Sequence, residues 1–155
     1  MNPHEEAYVH FQDCLSSLNR AWQIVQAIAA NAPTPILTPA AYRMALVEYA
    51  KPFKTSYGAG RRRLNLSIPR LQEGDLQLHS HLLALRDQTL AHSDLSLMEA
   101  KVYIHELAGK PFPLIISNTE PQLPEIAKVQ GLIERVLDSL YSQIPAYEAQ
   151  LQQPI

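Results

Sequence analysis

The chain has little cysteine. Cys14 stands alone among 155 residues, so no internal disulfide and no thiolate metal cluster can form, and the composition suits a reducing cytoplasm. Long apolar runs are missing too. No stretch approaches the length of a membrane span, and the first residues lack a basic, then apolar, signal pattern. The expectation is a cytoplasmic protein with no membrane partner. An excess of one charge is also missing: the net charge is −2, which rules out a molecule that grips nucleic acid with its whole surface. Glycine is scarce, at five residues against twelve prolines, and most of the prolines fall between the regular segments. What is present is a globular composition, 46% apolar and 18% charged, in a chain long enough for one domain with one sizeable core.

The apolar residues are spaced for helices. Tyr8, Phe11, Leu15, Leu18, Trp22, Val25 and Ala29 recur at steps of three and four, which predicts a first helix from about His4 to Asn31, stopped by Pro33 and Pro35. Cys14 lies at the edge of this stripe, has no lysine or arginine within a turn, and reads as inert filler. Thr38-Pro39 is a helix start, and the second helix should end near Tyr49 or Ser56, with Pro52 ending or kinking it. Leu76, Leu78, Leu82, Leu83, Leu85 and Leu90 mark a third helix from Gly74 or Asp75 to His92. Ile126, Val129, Ile133, Val136, Leu140 and Ile144 mark a last one, from Pro121 or Leu123 to Ile144, which Pro145 ends or kinks.

A different rhythm separates the last two helices. Lys101-Val102-Tyr103-Ile104-His105-Glu106 and Phe112-Pro113-Leu114-Ile115-Ile116-Ser117 flank Ala108-Gly109-Lys110, the pattern of a β-hairpin in which Pro113 fits only an edge or a strand start. The expected architecture is therefore mainly α: a single domain over residues 1–155, a four-helix antiparallel bundle with a small β-hairpin, at about residues 100–118, inserted before the last helix.

Charge is unevenly placed. No acidic residue occurs from Tyr49 to Gln72, yet Lys51, Lys54, Arg61, Arg62, Arg63 and Arg70 do, six of the thirteen basic residues. Arg61, Arg62 and Arg63, with Lys54, are candidates to recruit RNA phosphates, with Tyr49 and Tyr57 nearby for base stacking. The plainer reading is a solvated loop, running from Gly58 to Arg70. His79 and His81 point about 200° apart on a helix and would not grip one metal, so no metal site and no cofactor is expected.

The residues with most chemical content are Arg86 and His92. At about 100° per residue, Arg86 and His79 fall inside the leucine arc of the third helix, and Asp87 falls near its border. An arginine aimed at a core needs its donors satisfied, by a carboxylate, carbonyls or a ligand phosphate. His79 lies on the same face, either as a partner that supports Arg86 from behind or as a satisfied core histidine. His92 lies about 9 Å further along and roughly 120° round, so the two side chains are not stacked neighbours but can reach a common group. Arginine holds phosphate with a planar fork, and histidine exchanges protons near neutral pH.

Arg86-Asp87, four further residues and His92 resemble the signature of HEPN domains: arginine, a polar residue, roughly four to six residues, then histidine. Ala91-His92-Ser93-Asp94 is similar to a common prokaryotic form of that motif. The resemblance implies a bundle of helices and a metal-independent endoribonuclease, in which two protomers line a shared cleft with their motifs. His92 would then act on the ribose 2′-hydroxyl or the leaving oxygen, Arg86 would stabilise phosphoryl charge, and Asp87 would orient or support them, leaving a 2′,3′-cyclic phosphate. The implied partners are a second copy bound through the motif helices, an RNA substrate, and a neutralising antitoxin protein, as for toxins and phage-defence effectors. The alternative is a non-catalytic HEPN-like bundle that serves as a dimerisation, nucleotide-binding or partner-binding module.

Overall fold

The computed structural model describes residues 1–58, 63–67, 69–87, 101–116 and 123–152. Helix α1 spans Pro3–Ala30. Its start is fixed by chemistry. Asn2 caps it, accepting from the backbone N–H groups of His4 and Glu5, while the Glu5 side chain accepts from the Asn2 N–H, a reciprocal capping box with proline in the first turn. At the other end Asn31 turns extended, and its side chain donates to the Ala27 carbonyl at 2.7 Å. Phe11, Leu15, Leu18 and Val25 are buried as the spacing predicts, Trp22 is half-buried, and Ala29 is exposed because the helix has by then outrun the core.

Helix α2 covers Leu37–Ala50. Thr38 does not cap it. The helix begins a residue earlier, and the Thr38 hydroxyl instead accepts from the Thr34 N–H at 2.8 Å. Pro52 ends α2 in a 3-10 turn, Lys51–Phe53. The expected loop, Gly58 to Arg70, contributes one strand to a short ribbon: β1 (Ser56–Tyr57), just before it, pairs antiparallel with β2 (Arg63–Leu64) within it. From there the chain returns to the core at Leu66, whose N–H donates to the Pro52 carbonyl. Helix α3 spans Glu73–Leu85.

Strands β3 (Lys101–Leu107) and β4 (Lys110–Ile116) form the expected hairpin. Ala108 and Gly109 both take positive φ, 53° and 74°, which is what a two-residue turn matching the strand twist requires. The last helical region departs from expectation. Helix α4 (Ile126–Tyr141) ends before the proline, and Pro145 opens a further helix, α5 (Ile144–Leu151), instead of merely stopping the previous one. Proline lacks the N–H that a first turn would leave unpaired, so it suits that position.

Among the described residues α1 is the hub. It packs along α2, α4 and α5, while α3 leans on α2 and α4. Leu18, Leu46, Leu82, Leu132, Ile133 and Leu140 are fully buried at the centre. Polar ties cross the seams. Glu48 takes Arg20 at 3.1 Å and also Lys51. The Trp22 indole donates to Glu134 at 3.1 Å. Arg135 holds Asp75 with two bonds of 2.6 and 2.5 Å. Phe11 stacks on Tyr147 with ring centroids 4.0 Å apart. No helix among the described residues is long and apolar enough to cross a membrane.

Candidate functional site

Past Leu85 the chain winds on through Arg86 and Asp87 in a wider, π-type turn, a feature that often accompanies function. The Arg86 N–H still donates to the carbonyls of Leu82 and Leu83, so the backbone there is anchored to α3. The Arg86 guanidinium donates through Nη1 to Asp87 Oδ1 at 3.0 Å. Asp87 Oδ2 takes the Lys54 ammonium, which arrives from just after the 3-10 turn that follows α2. One carboxylate therefore sits between two cations from different parts of the fold. Lys54, then Arg86, hold the Asp87 carboxyl below the usual carboxylate range, so it is an anion throughout the neutral region. The cluster carries a surplus positive charge.

Arg86 is not an ordinary surface arginine. Its side chain is 29% exposed, and its Nε is buried with no hydrogen-bond acceptor among the described residues. Among the described residues, the expectation that a core-facing arginine needs an acceptor is thus met at Nη1 by the adjacent Asp87, not by a carboxylate on a neighbouring helix, and is unmet at Nε. An orphaned donor of this kind costs about 1–3 kcal/mol unless something accepts from it.

His79 lies one heptad before Arg86 and is fully buried. Its Nδ1 and the Tyr49 hydroxyl are 2.7 Å apart, and its ring meets the edge of Phe53 at 4.5 Å. Among the described residues its partner is Tyr49 and not Arg86, which makes it a core histidine packed against Tyr49 and Phe53. Burial lowers its pKa, and its Nε2 has no partner among the described residues. Tyr49 is itself completely buried, and burial raises its phenol pKa. It is therefore closed to a stacking base. Tyr57 is 66% exposed and lies opposite Arg63 in the β1–β2 ribbon. Arg63 is exposed, and it also borders a small cavity of about 180 Å³ beside Tyr147.

Of the other residues proposed from the sequence, His92, Arg61 and Arg62 lie outside the described residues. The structure thus joins Arg86, Asp87 and Lys54 in one cluster, buries His79 against Tyr49 and Phe53, and leaves Arg63 on the ribbon. His81 is exposed. No group of histidine, cysteine or acidic side chains among the described residues is arranged to hold a metal ion.

A second polar site, around His10, was not singled out in the sequence. His10 Nδ1 and the Cys14 sulfur are 3.2 Å apart, one turn along α1. His10 also borders an open hollow of about 540 Å³ between α1 and the β1–β2 ribbon, and a smaller one of about 190 Å³ that reaches Lys51. Burial raises the Cys14 thiol pKa to about 12 and lowers that of His10 against the opposing pull of Asp13. Both groups are consequently neutral, and the thiol is not primed as a nucleophile. The only sequence signal was the four-residue spacing of a histidine and a cysteine.

No known family model matches the chain, and comparison with curated proteins and with solved structures finds no significant likeness.

Proposed function

We propose that this protein is a metal-independent endoribonuclease of the HEPN type, with Arg86, Asp87 and His92 as its working residues. The observation that carries the reading is the Arg86 guanidinium. It is clamped by an anionic Asp87 and held by Lys54's carboxylate contact, yet it keeps a buried Nε donor with no acceptor among the described residues. A phosphoryl oxygen is the acceptor that such a fork suits. In this reading Arg86 and Lys54 balance charge on the phosphate, and Asp87 fixes their positions. His92 takes the proton from the 2′-hydroxyl or gives one to the leaving oxygen, and solvent water carries the other of these two protons. The 2′-oxygen attacks phosphorus, the 5′-oxygen departs, and a 2′,3′-cyclic phosphate remains.

The test is cleavage of mixed RNA by the purified protein in EDTA. His92→Ala and Arg86→Ala should each lower the rate by about 10²–10⁴-fold, the usual worth of a positioned acid–base or charge-stabilising group. Cleavage that survives both substitutions would rule the mechanism out. A non-catalytic, partner-binding bundle is the second reading, and the Lys54–Asp87–Arg86 tie favours it as a purely structural brace. That reading expects Arg86→Ala to lose fold stability, with no cleavage by the parent protein.

A further inference from the structure

The β3–β4 hairpin is apolar where a monomer has no use for it. Every one of its residues from Lys101 to Ile116 is exposed, and neither strand packs appreciably on a described helix. Val102, Tyr103, Ile104, Leu107, Phe112, Leu114, Ile115 and Ile116 are each 40–69% exposed. They lie on both faces of the ribbon, Val102, Ile104 and Ile115 on one and Tyr103, Leu107, Phe112, Leu114 and Ile116 on the other. A lone two-stranded ribbon is also marginal in water, whereas three or more strands support one another.

The ribbon's edges show how it is completed. In a two-residue hairpin the pair next to the turn, Leu107 and Lys110, exchanges hydrogen bonds, and bonded pairs then alternate with unbonded ones. Pairs Glu106–Pro111, Ile104–Pro113 and Val102–Ile115 are therefore the unbonded ones, with their N–H and C=O groups turned outward. Pro111 and Pro113 fit this register, since neither could donate inward. They also strip the outer edge of β4 of two of its three donors, a blunted edge. The outer edge of β3 keeps all three, at Val102, Ile104 and Glu106. The hairpin has one open edge and one closed edge.

We propose that β3 pairs antiparallel with β3 of a second copy of this chain across a two-fold axis at Ile104, giving a continuous four-stranded sheet ordered β4-β3-β3-β4. This register overlaps the whole strand and is self-complementary. Ile104 meets its own mate, Val102 faces Glu106 of the second copy, Tyr103 faces its His105, and Lys101 faces its Leu107, so no like charges oppose each other. The inference rests on the hairpin alone; the ribonuclease reading implies a different contact, through the motif helices, so the Ile104 variants and not the parent's mass tell the two apart.

The parent chain should run as a dimer in light scattering coupled to size exclusion. Ile104→Pro removes one outward donor without touching the β3–β4 ladder, as Pro113 does on the other strand, and should halve the mass of the assembly with the helical circular dichroism retained. Ile104→Cys should form a disulfide-linked dimer on mild oxidation, because paired Cα atoms across this ladder lie within about 5.5 Å. The buried Cys14 of the parent should not. A parent that is monomeric at about 100 μM overturns the proposal. So does a dimer that tolerates Ile104→Pro and leaves Ile104→Cys uncross-linked.

Discussion

The helical body and the hairpin use similar apolar residues to opposite effect. Around α1 the leucines, isoleucines and valines are sealed from water, with Leu132, Ile133 and Val136 wholly buried. In the hairpin, Ile104, Ile115 and Val102 are exposed to 68, 66 and 63%. The body's stability is therefore internal to one chain, while whatever the hairpin's side chains contribute lies outside it. Exposure of scattered apolar residues needs no explanation, but a contiguous set on both faces of one ribbon does.

The contrast can be broken most forcefully by truncation. Leu132→Ala should destabilise the fold by about 2–5 kcal/mol in urea titration, through lost burial and the cavity left behind. Ile115→Ala, measured in dilute solution, should stay within about 0.5 kcal/mol of the parent. Equal effects would mean that the hairpin is part of the monomer's core after all.

A smaller effect should follow acidification, and it belongs to the body alone. Burial lowers the imidazole pKa of both His79 and His10 in the folded chain. Below the ordinary value of 6.5 the unfolded chain binds protons that the folded chain refuses, so stability falls as pH drops through that value. His79→Phe should flatten this slope and leave the remainder to His10. A slope unchanged by His79→Phe would show that the histidine is not held neutral by its surroundings.

The smallest effect is local to the turn. Ala108 carries a positive φ of 53°, which costs a residue with a Cβ about 1 kcal/mol. Ala108→Gly should slow amide exchange across the β3–β4 ladder while leaving exchange in α1 and α4 as it was. Equal slowing in both regions would mean that the hairpin and the body open together.

Much of the fold was legible because it rests on periodicity. Repeats of three and four residues located α1 to α4, and the Ala108-Gly109 pair between alternating runs located the hairpin. Pro145 was read as the end or a kink of the last helix, although proline is as much at home in a first turn, and so α5 was missed. A ribbon of two residues per strand, like β1–β2, is too short to carry a pattern. Tyr49 looked like a stacking group because it opens a basic segment. Its spacing from Tyr42 and Leu46 on α2 was the better guide to its burial. Arg86 and Asp87 stood out by their order in the chain, and the inward tilt of Arg86 was evident on the wheel. The role of Lys54 was not, because it exists only when the turn after α2 meets the end of α3. His10 escaped notice for a similar reason: its surroundings are supplied by β1, β2 and the turn before them, which fold over α1 from elsewhere.

The position of α1 at the centre of the core also sets the order in which the molecule can be completed. Its buried face is shared with α4, and the Trp22–Glu134 bond joins residues 112 apart in the chain. As the chain leaves the ribosome, α1 and α2 can meet early, but Leu18 and Val25 remain uncovered until the C-terminal helices emerge. The hairpin, whose contacts are all between near neighbours, can close before then. Helix α1 is thus among the last of the described elements to be sealed from water, although it precedes the others in the chain.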